Sequence, residues 1–171
     1  MEIALLNETS LRIKGKQGSV IINPQGKAYD ADGFIMLDSQ VIDSEKISDD
    51  ALVINGPGEY EFCGIKVSGI RLNSHVVFSI RTDRVEILLG SAEVLEKDHS
   101  KLREHHIAVL RINEAVDPAF ITSLSSNVIV FYGEKAADAM KQLANDVYRT
   151  ENKYSVTFEK LPQDIEKILL Q

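Results

Sequence analysis

Short apolar runs, separated by glycine, asparagine and proline, follow one another through the first half of the chain. In chain order these runs are "EIALLNE", "SLRIKG", "SVIINP", "GFIMLD", "ALVING", "FCGIKVSGI", "HVVFSIRTD" and "RVEILLG". Short aliphatic and β-branched runs bounded by turn-forming residues predict β-strands. A run as apolar as "GFIML" is typical of a strand buried on both faces. We therefore predict a strand-rich first half, with a hairpin turn at "RTDR".

After Gly90 the apolar residues are spaced by three and four positions, which predicts helices between the strands. The predicted helices are "SAEVLEKDHSKLREH", "DPAFITSL", "EKAADAMKQLANDVY" and a short closing helix, "PQDIEKILL". The predicted strands between them are "IAVLRI", "NVIVFYG" and "YSVTFEKL". Ser91 is the predicted N-cap of the first helix, and Asp117 with Pro118 at N1 forms a favourable start for the second.

The length of the chain and the order of its predicted strands and helices indicate one domain of sheets covered by helices. At 171 residues the chain can bury a core without disulfides, and no low-complexity stretch or linker divides it. Strands that lead into strand–helix alternation favour an α/β or α+β architecture. We predict a single domain over residues 1–171.

Charge and cysteine content exclude several classes of function. The formal net charge is −7, so a general nucleic-acid-binding role is disfavoured. No apolar run approaches the length of a membrane span, and we expect a cytoplasmic protein. The one cysteine, Cys63, lies in an apolar run and is predicted to be a small buried hydrophobe. A thiol dyad of Cys63 with His75 lacks an orienting third group, and all four histidines are expected to be structural or solvated.

The most constrained stretch of the sequence is "INGPGEYEF". Pro57 fixes its own φ, while Gly56 and Gly58 accept positive φ at little steric cost. Together with Glu59, these residues predict a rigid structural turn between two strands. The side chains of Glu59 and Tyr60 are expected to support this turn. Neither side chain is assigned a catalytic role.

With its neighbours, this turn resembles a signature of the metallo-β-lactamase fold superfamily. The similarity is to the branch of small metal-dependent hydrolases related to ascorbate-phosphate lactonase. "MEIALLNETSLRIKGKQGSVIINP", "RTDRVEILLG", "NVIVFYG" and "YSVTFEKLP" resemble further strands of that branch, so the likeness runs nearly end to end. The resemblance implies a shortened αββα fold, in which two mixed sheets are covered by helices.

The resemblance also implies a metal centre, and the matching positions lack its ligands. In the family a His-x-His-x-Asp-His loop follows a buried strand, and further ligands come from later strand ends. The matched loop here is "DSQVIDS", in which Asp43 alone keeps a ligand type. The residues at the matched positions, which form a predicted vestigial pocket, are Glu8, Ser39, Val41, Asp43, Ser44, Ser91 and Tyr132.

These substitutions predict a metal-free protein, because valine cannot bind a metal and serine is a poor zinc ligand. We expect no catalytic residues, no metal and no cofactor. The predicted role is that of a binding or assembly module. Self-association or a protein partner is expected, and binding of an unidentified small ligand stays open.

Two alternatives stay open at this stage. The first is a metal-dependent hydrolase with a reduced site, built from Asp38, Asp43, Glu8 or His75 around one ion. The second is a loose Mg²⁺ or Ca²⁺ site in the acidic loop that contains Asp38 and Asp43, since hard cations favour carboxylates.

Overall fold

The computed structural model describes residues 1–26, 28–37, 47, 50–98, 102–143 and 148–171. The strands in these residues are β1 (Glu2–Leu5), β2 (Leu11–Lys14), β3 (Ser19–Ile22), β4 (Gly33–Ile35), β5 (Leu52–Ile54), β6 (Gly58–Phe62), β7 (Ile65–Leu72), β8 (His75–Thr82), β9 (Val85–Ser91), β10 (Ile107–Arg111), β11 (Val128–Tyr132), β12 (Tyr148–Glu151), β13 (Lys153–Ser155) and β14 (Glu166–Leu170). The helices are α1 (Ala92–Asp98), α2 (Pro118–Ser123), α3 (Ala136–Gln142) and a 3-10 helix over Phe158–Lys160. In this described part of the chain no helix is long and apolar enough to cross a membrane.

The strands form two mixed sheets, as the resemblance to the metallo-β-lactamase fold implied. One sheet has six strands in the order β13-β1-β2-β3-β4-β5, and the other has eight in the order β12-β14-β11-β10-β9-β8-β7-β6. In the larger sheet β6 to β9 form an antiparallel meander. From β9 onward, β10, β11, β14 and β12 pair in parallel. Parallel strands end at the same edge of a sheet, which brings their carboxyl ends together.

The main core lies between the two sheets. Ile13 and Val20 of the smaller sheet belong to the same buried cluster as Ile80 and Val109 of the larger one. Alternate residues of the strands that contain these side chains point to this core, because successive side chains in a strand face opposite sides. Each fully buried aliphatic side chain contributes roughly 1.5–3 kcal/mol relative to an exposed one.

The helices cover the outer face of the eight-stranded sheet. Leu95 of α1, Phe120 of α2 and Met140 of α3 form a second buried cluster with residues of that face, including Leu110 and Phe131. The N-cap of α2 is as predicted, since the Asp117 carboxylate accepts from Ala119 N at 2.8 Å.

The outer face of the six-stranded sheet is covered differently in the described residues. Ile21 and Phe34 form a small cluster with Tyr29 and Ala31, which lie in the connection between β3 and β4. Strand β4 lies next to the outer strand β5 and is buried on both faces, as predicted for "GFIML".

The predicted hairpin at "RTDR" is confirmed. Thr82 pairs with Val85, and the two turn residues have positive φ, 51° at Asp83 and 68° at Arg84. Positive φ at both central residues is the type I′ pattern, which matches the twist of the flanking strands.

The prediction of one continuous strand over "FCGIKVSGI" is wrong, and so is the burial of Cys63. Phe62 pairs with Ile65 across a second tight turn, with φ of 41° at Cys63 and 70° at Gly64. A residue at the tip of a hairpin projects from the sheet, and Cys63 is exposed. The apolar neighbours of Cys63 gave no sign of this turn.

The predicted closing helix is also wrong, because "EKILL" forms β14. This strand pairs in parallel with β11 and β12. Ile168 and Leu170 enter the core between the sheets, whereas Leu169 packs beneath the helices. Three consecutive apolar residues fit a strand buried on both faces as well as a helix, so their periodicity cannot distinguish the two.

Other elements are shorter than predicted. Helix α1 ends at Asp98, and His105 and His106 precede β10 instead of lying at a helix end. Helix α3 ends at Gln142, and the predicted helical position Val147 lies outside the described residues. The predicted late strand "YSVTFEKL" is a strand only as far as Ser155, after which a 3-10 helix follows.

Candidate functional site

Three parallel strands end side by side at one edge of the eight-stranded sheet. Ser91, Arg111 and Tyr132 are the last residues of β9, β10 and β11, respectively. In the register of the sheet, Arg111 is paired with Ser91 on one side and with Tyr132 on the other. Neighbouring strands lie about 4.8 Å apart, so these backbones form a compact row. We refer to Ser91, Arg111 and Tyr132 as the strand-end row.

The strand-end row is on the side of the sheet that faces the other sheet. Leu89, Val109 and Val130, each two residues earlier in its strand, belong to the core between the sheets. Because side chains alternate along a strand, residues two positions apart point to the same face. Tyr132 is itself part of that core and has no exposed surface.

Arg111 is a buried cation in this row. Only 6 % of its surface is exposed, yet it reaches a cleft of about 290 Å³. In the amide orientation that pairs donors with acceptors, the Asn113 side-chain oxygen accepts from Arg111 Nε at 3.1 Å and from Nη2 at 3.2 Å. Arginine keeps its charge under all ordinary conditions, so this end of β10 carries a permanent positive charge.

The cleft lies between helix α1, the start of β8 and the loop after β10. Its lining residues are Leu72, Asn73, His75, Ser91, Glu93, Val94, Lys97, Arg111, Asn113 and Glu114. Of the strand-end row, Ser91 and Arg111 therefore line one shared space. Sequence analysis missed Arg111, although a charged residue directly after the apolar run "IAVL" was the signal that could have revealed it.

Two carboxylates of α1 hold the loop that follows Arg111. Glu93 Oε1 accepts hydrogen bonds from the backbone nitrogens of Asn113 and Glu114, each at 2.9 Å. Glu96 Oε1 accepts from the backbone nitrogen of Asp117, also at 2.9 Å. Helix α1 thus fixes the position of Asn113, and Asn113 in turn orients the guanidinium.

The turn formed by Gly56, Pro57, Gly58 and Glu59 packs closely on strand β7. A Cβ at Gly69 would lie 2.6 Å from the Gly56 carbonyl oxygen and 3.0 Å from Pro57 Cα, so only glycine fits. Gly58 has a φ of 148°, and the Glu59 carboxylate accepts from Ser68 Oγ at 2.5 Å. These contacts connect the turn to the sheet through backbone sterics as well as hydrogen bonds.

Solved structures share this architecture across nearly the whole chain. A Thermotoga maritima protein described as a Zn-dependent hydrolase of the metallo-β-lactamase superfamily matches with a TM-score of 0.77, at 15 % identity, over 99 % of this chain and 98 % of its own. A Parabacteroides distasonis protein described as a metal-dependent hydrolase has a TM-score of 0.60, at 12 % identity, over 99 % of this chain and 93 % of its own. This chain has the metallo-β-lactamase fold.

Other comparisons show how far this structural likeness extends. CmlA β-hydroxylase, as its E377D mutant, has a TM-score of 0.60 at 7 % identity, and 97 % of this chain covers 52 % of that one. No protein-family model and no curated protein matches the chain. At these identities the likeness establishes the fold alone, and the chemistry must be argued from the residues of this chain.

The metallo-β-lactamase fold brings some of the predicted pocket residues together and separates others. Ser91 and Tyr132 lie two strands apart in the strand-end row. Glu8 lines a different cleft of about 350 Å³, with Gly133. The predicted residues Ser39, Val41, Asp43 and Ser44, together with Asp38 of the alternative site, lie outside the described residues.

The described part of the site does not fit a divalent metal. Among the residues that the structure describes, no group of three or more histidine, cysteine, aspartate or glutamate side chains could hold a metal ion. The strand-end row offers a hydroxyl, a guanidinium and a phenol, and a guanidinium has no lone pair to donate. Of the residues in the alternative reduced metal site, Glu8 and His75 line separate clefts.

Cys63 and His75 are at opposite ends of β7 and cannot form a thiol dyad. Eight residues make up β7, which corresponds to a length of roughly 26 Å. Cys63 instead lies beside Asp32, whose hydrogen bond to the thiol raises the cysteine pKa. A raised pKa disfavours the reactive thiolate.

The buried histidine of the described chain lies away from the strand-end row. His105 Nε2 is 2.9 Å from Ser79 Oγ, and Arg103 Nη2 donates to that same oxygen at 3.3 Å. Both Ser79 and His105 are buried, and burial lowers the pKa of His105 below its usual value. His105 precedes β10 and Arg111 ends it, so this histidine is at the opposite end of the strand from the cleft.

Proposed function

We propose that this chain is a non-catalytic protein of the metallo-β-lactamase fold, which acts as a metal-free binding or assembly module. The observation that carries the proposal is the position of Arg111. Its register partners, Ser91 and Tyr132, are the positions that match metal-ligating residues of the resembled family. The middle of this row therefore holds a permanent cation between two neutral side chains.

A guanidinium in this place cannot act as a metal ligand, because it has no lone pair to donate. The ligands that a divalent zinc ion needs are thiolates, imidazoles and carboxylates. In the matched loop, Ser39, Val41 and Ser44 offer no carboxylate or imidazole, and Asp43 alone keeps a ligand type.

The assembly part of the proposal is supported by an exposed apolar sheet edge. Strand β5 is an outer strand of the six-stranded sheet, and its residues Leu52 and Val53 are 36 % and 39 % exposed. An edge strand with exposed apolar side chains is a surface that other chains can pair with. Size-exclusion chromatography with light scattering over a range of protein concentrations measures whether the chain associates with itself.

The competing function is hydrolysis at a reduced metal site that includes Glu8 or His75. Those two residues line separate clefts, which weighs against a single ion held by both. Loss of activity alone cannot distinguish the two functions, since the substrate is unknown. Metal content distinguishes them directly.

The deciding experiment is elemental analysis of protein purified without chelators. We expect less than about one tenth of an equivalent of zinc, manganese or iron per chain, a level typical of non-specific retention because a built site binds stoichiometrically. A second sample, reloaded with each metal and dialysed, tests whether a site was emptied during purification. One equivalent of a metal in either sample would show that the site is a metal centre and would overturn the proposal.

A further inference from the structure

We infer that the outer strand β12 pairs with β12 of a second copy of this chain, which joins the eight-stranded sheets of two molecules into one. The inference rests on the assembly role of the proposed function and deepens it by naming the partner and the surface. It starts from an accessible strand at a sheet edge. Strand β12 ends the eight-stranded sheet, and Tyr148, Arg149 and Thr150 are exposed.

The backbone of β12 directs hydrogen-bonding groups outward at Thr150. Gln171 N donates to the Glu151 carbonyl oxygen at 3.0 Å, so the backbone polar groups of Glu151 point towards β14. In a strand the N–H and C=O of one residue point to the same side, and those of the next residue point to the opposite side. The N–H and C=O of Thr150 therefore point away from the sheet, where another strand can join them.

Two antiparallel registers overlap three residues of β12 and bring its outward backbone groups face to face. In the first, Tyr148 lies opposite Thr150 of the second copy, and the two copies of Arg149 face each other. In the second, Thr150 faces Thr150, and each Arg149 faces Glu151 of the second copy. Opposite charges and paired threonines stabilise a strand pair, whereas like charges directly opposite destabilise it. The charges of β12 therefore select the register centred on Thr150.

The two charged side chains of β12 lie on one face of the sheet. Arg149 is paired with Ile168 and Glu151 with Leu170, and both of these β14 residues point into the core between the sheets. Within one chain Arg149 Nε is 3.6 Å from Glu151 Oε1, and these side chains are 53 % and 37 % exposed. Pairing about Thr150 brings two such pairs together as alternating charges. Exposed ion pairs add little strength, so the charges set the register while the backbone hydrogen bonds hold the strands.

The other outer strands in the described part of the chain suit a second copy less well. Strand β6, at the other end of the same sheet, carries Glu59 and Glu61 on either side of Tyr60. Antiparallel self-pairing about any of these three residues sets carboxylates opposite one another. The outer strands of the smaller sheet, β5 and β13, have three residues each and offer fewer backbone groups.

The short length of β12 predicts a weak dimer. Interfaces that bury less than about 1,200 Å² belong to weak or transient complexes, so we expect a dissociation constant on the order of 100 μM. A two-fold contact uses the same edge of both copies and closes on itself. Association should therefore stop at the dimer. Sedimentation equilibrium of chelator-treated protein, at concentrations on both sides of that constant, measures the constant and the stoichiometry.

Charge reversal tests the register. Arg149→Glu makes both charged positions of β12 acidic, and Glu151→Arg makes both basic, so each variant alone should dimerise at least about tenfold more weakly than the wild type. An equimolar mixture sets an acidic edge opposite a basic one and should form a heterodimer at least as tight as the wild-type dimer. The matched control is Lys66→Glu, which makes the same change of net charge at an exposed position of β7 and should dimerise like the wild type.

A second pair of variants tests the backbone contact. Thr150→Pro removes the outward N–H, and an edge strand tolerates proline where its N–H faces solvent. We expect this variant to keep the fold, as checked by circular dichroism, and to show no dimer. Thr150→Val is its control, since valine keeps the N–H and the β-branched shape, and it should dimerise within about threefold of the wild type.

The outcomes separate this inference from the proposed function. A wild type that stays monomeric, or a mixture of the two charge variants that associates no better than either alone, would overturn the inference. If a charge variant does not fold, the comparison of Thr150→Pro with Thr150→Val decides. A dimer that all β12 variants leave intact and that Leu52→Lys disrupts would assign association to β5, so the inference would be wrong while the assembly role remains. Stoichiometric metal would overturn the proposed function instead, independently of sedimentation.

Discussion

The turn at residues 56–59 and the strand-end row are two parts of one scaffold that are constrained in different ways. The turn depends on backbone sterics, because a Cβ at Gly69 would overlap the Gly56 carbonyl. The strand-end row depends on the chemistry of its side chains, which can change without altering the path of the strands. Ser91, Arg111 and Tyr132 keep regular parallel pairing although their side chains are unlike metal ligands. The comparison teaches that the path of the backbone and the side-chain chemistry at the strand ends are set by different physical constraints.

The largest effect is expected where the backbone sterics of the turn are broken. Gly69→Ala places a methyl group 2.6 Å from a backbone oxygen that cannot swing aside. We expect a loss of about 2–3 kcal/mol, a value in the usual range for overpacking. For a domain of this size that loss lowers the melting temperature by roughly 4–12 °C, which circular dichroism measures.

Gly56→Ala is the matched control for that substitution. It makes the same chemical change in the same turn, but a Cβ at Gly56 would meet nothing within 4 Å. We expect a change within about 0.5 kcal/mol, as for an unstrained surface position. Equal destabilisation by the two variants would show that the close approach of the turn to β7 does not govern stability.

The next largest effect is expected when the loop that follows Arg111 loses its hydrogen bonds to helix α1. Glu93→Ala removes the acceptor of two backbone hydrogen bonds in the loop that carries Asn113. We expect a loss of about 1–2 kcal/mol, because hydrogen bonds to charged groups contribute more than neutral ones. Urea unfolding measures this loss at constant pH.

Glu61→Ala serves as the control for Glu93→Ala. Its carboxylate pairs with Lys66 at 3.2 Å, and both side chains are more than 60 % exposed. Exposed pairs of this kind contribute about 0–1 kcal/mol. A larger effect from Glu61→Ala than from Glu93→Ala would contradict the role of α1 in holding the loop.

A third prediction concerns His105, which precedes β10 at the end of the strand opposite to Arg111. Its role there is structural. Burial lowers the folded-state pKa of His105 below its ordinary value of 6.5. The unfolded chain therefore takes up this proton at a higher pH than the folded chain. The stability contributed by neutral His105 is complete above about pH 6.5 and is lost as the pH falls through the lower folded pKa.

The charged and titratable groups around His105 do not reverse the direction of its pKa shift. Those that act on it are Arg103, Glu86 and His106, and burial is the largest cause of the shift. We expect the melting temperature to fall between pH 7.5 and pH 5, and His105→Gln to reduce this fall. A wild type and a His105→Gln variant with the same pH profile would show that the proton binds equally in both states.

The smallest effect is predicted at the strand-end row itself, upon addition or removal of metal. A metal at a hundredfold excess over its Kd would add about 2.7 kcal/mol of stability. That gain corresponds to roughly 5–11 °C in a domain of this size. We expect no shift of the melting temperature with EDTA, Zn²⁺ or Mn²⁺. A fall of several degrees with EDTA, reversed by one metal alone, would show that the site is a metal centre.

Local patterns in the sequence determined much of the scaffold. The type I′ hairpin at Asp83 and Arg84, the cap at Asp117 and the doubly buried strand β4 follow from short-range rules of turn sterics, capping and burial. The two-sheet fold was predicted from the resemblance at "GPGEYE", a stretch whose conformation is restricted by proline and glycine. These features need only a few neighbouring residues, so a single sequence is enough to predict them.

Tertiary structure decided what depends on packing between distant segments. "EKILL" became a strand because β11 and β12 offer it partners and because two cores receive its alternate residues. Cys63 became exposed because the chain turns there, although its neighbours are apolar. The place of Arg111 in the strand-end row follows only from the strand register. This register sets it between Ser91 and Tyr132, residues about twenty positions away on either side. No local pattern encodes such a register, since it results from the summed pairing and burial of whole strands.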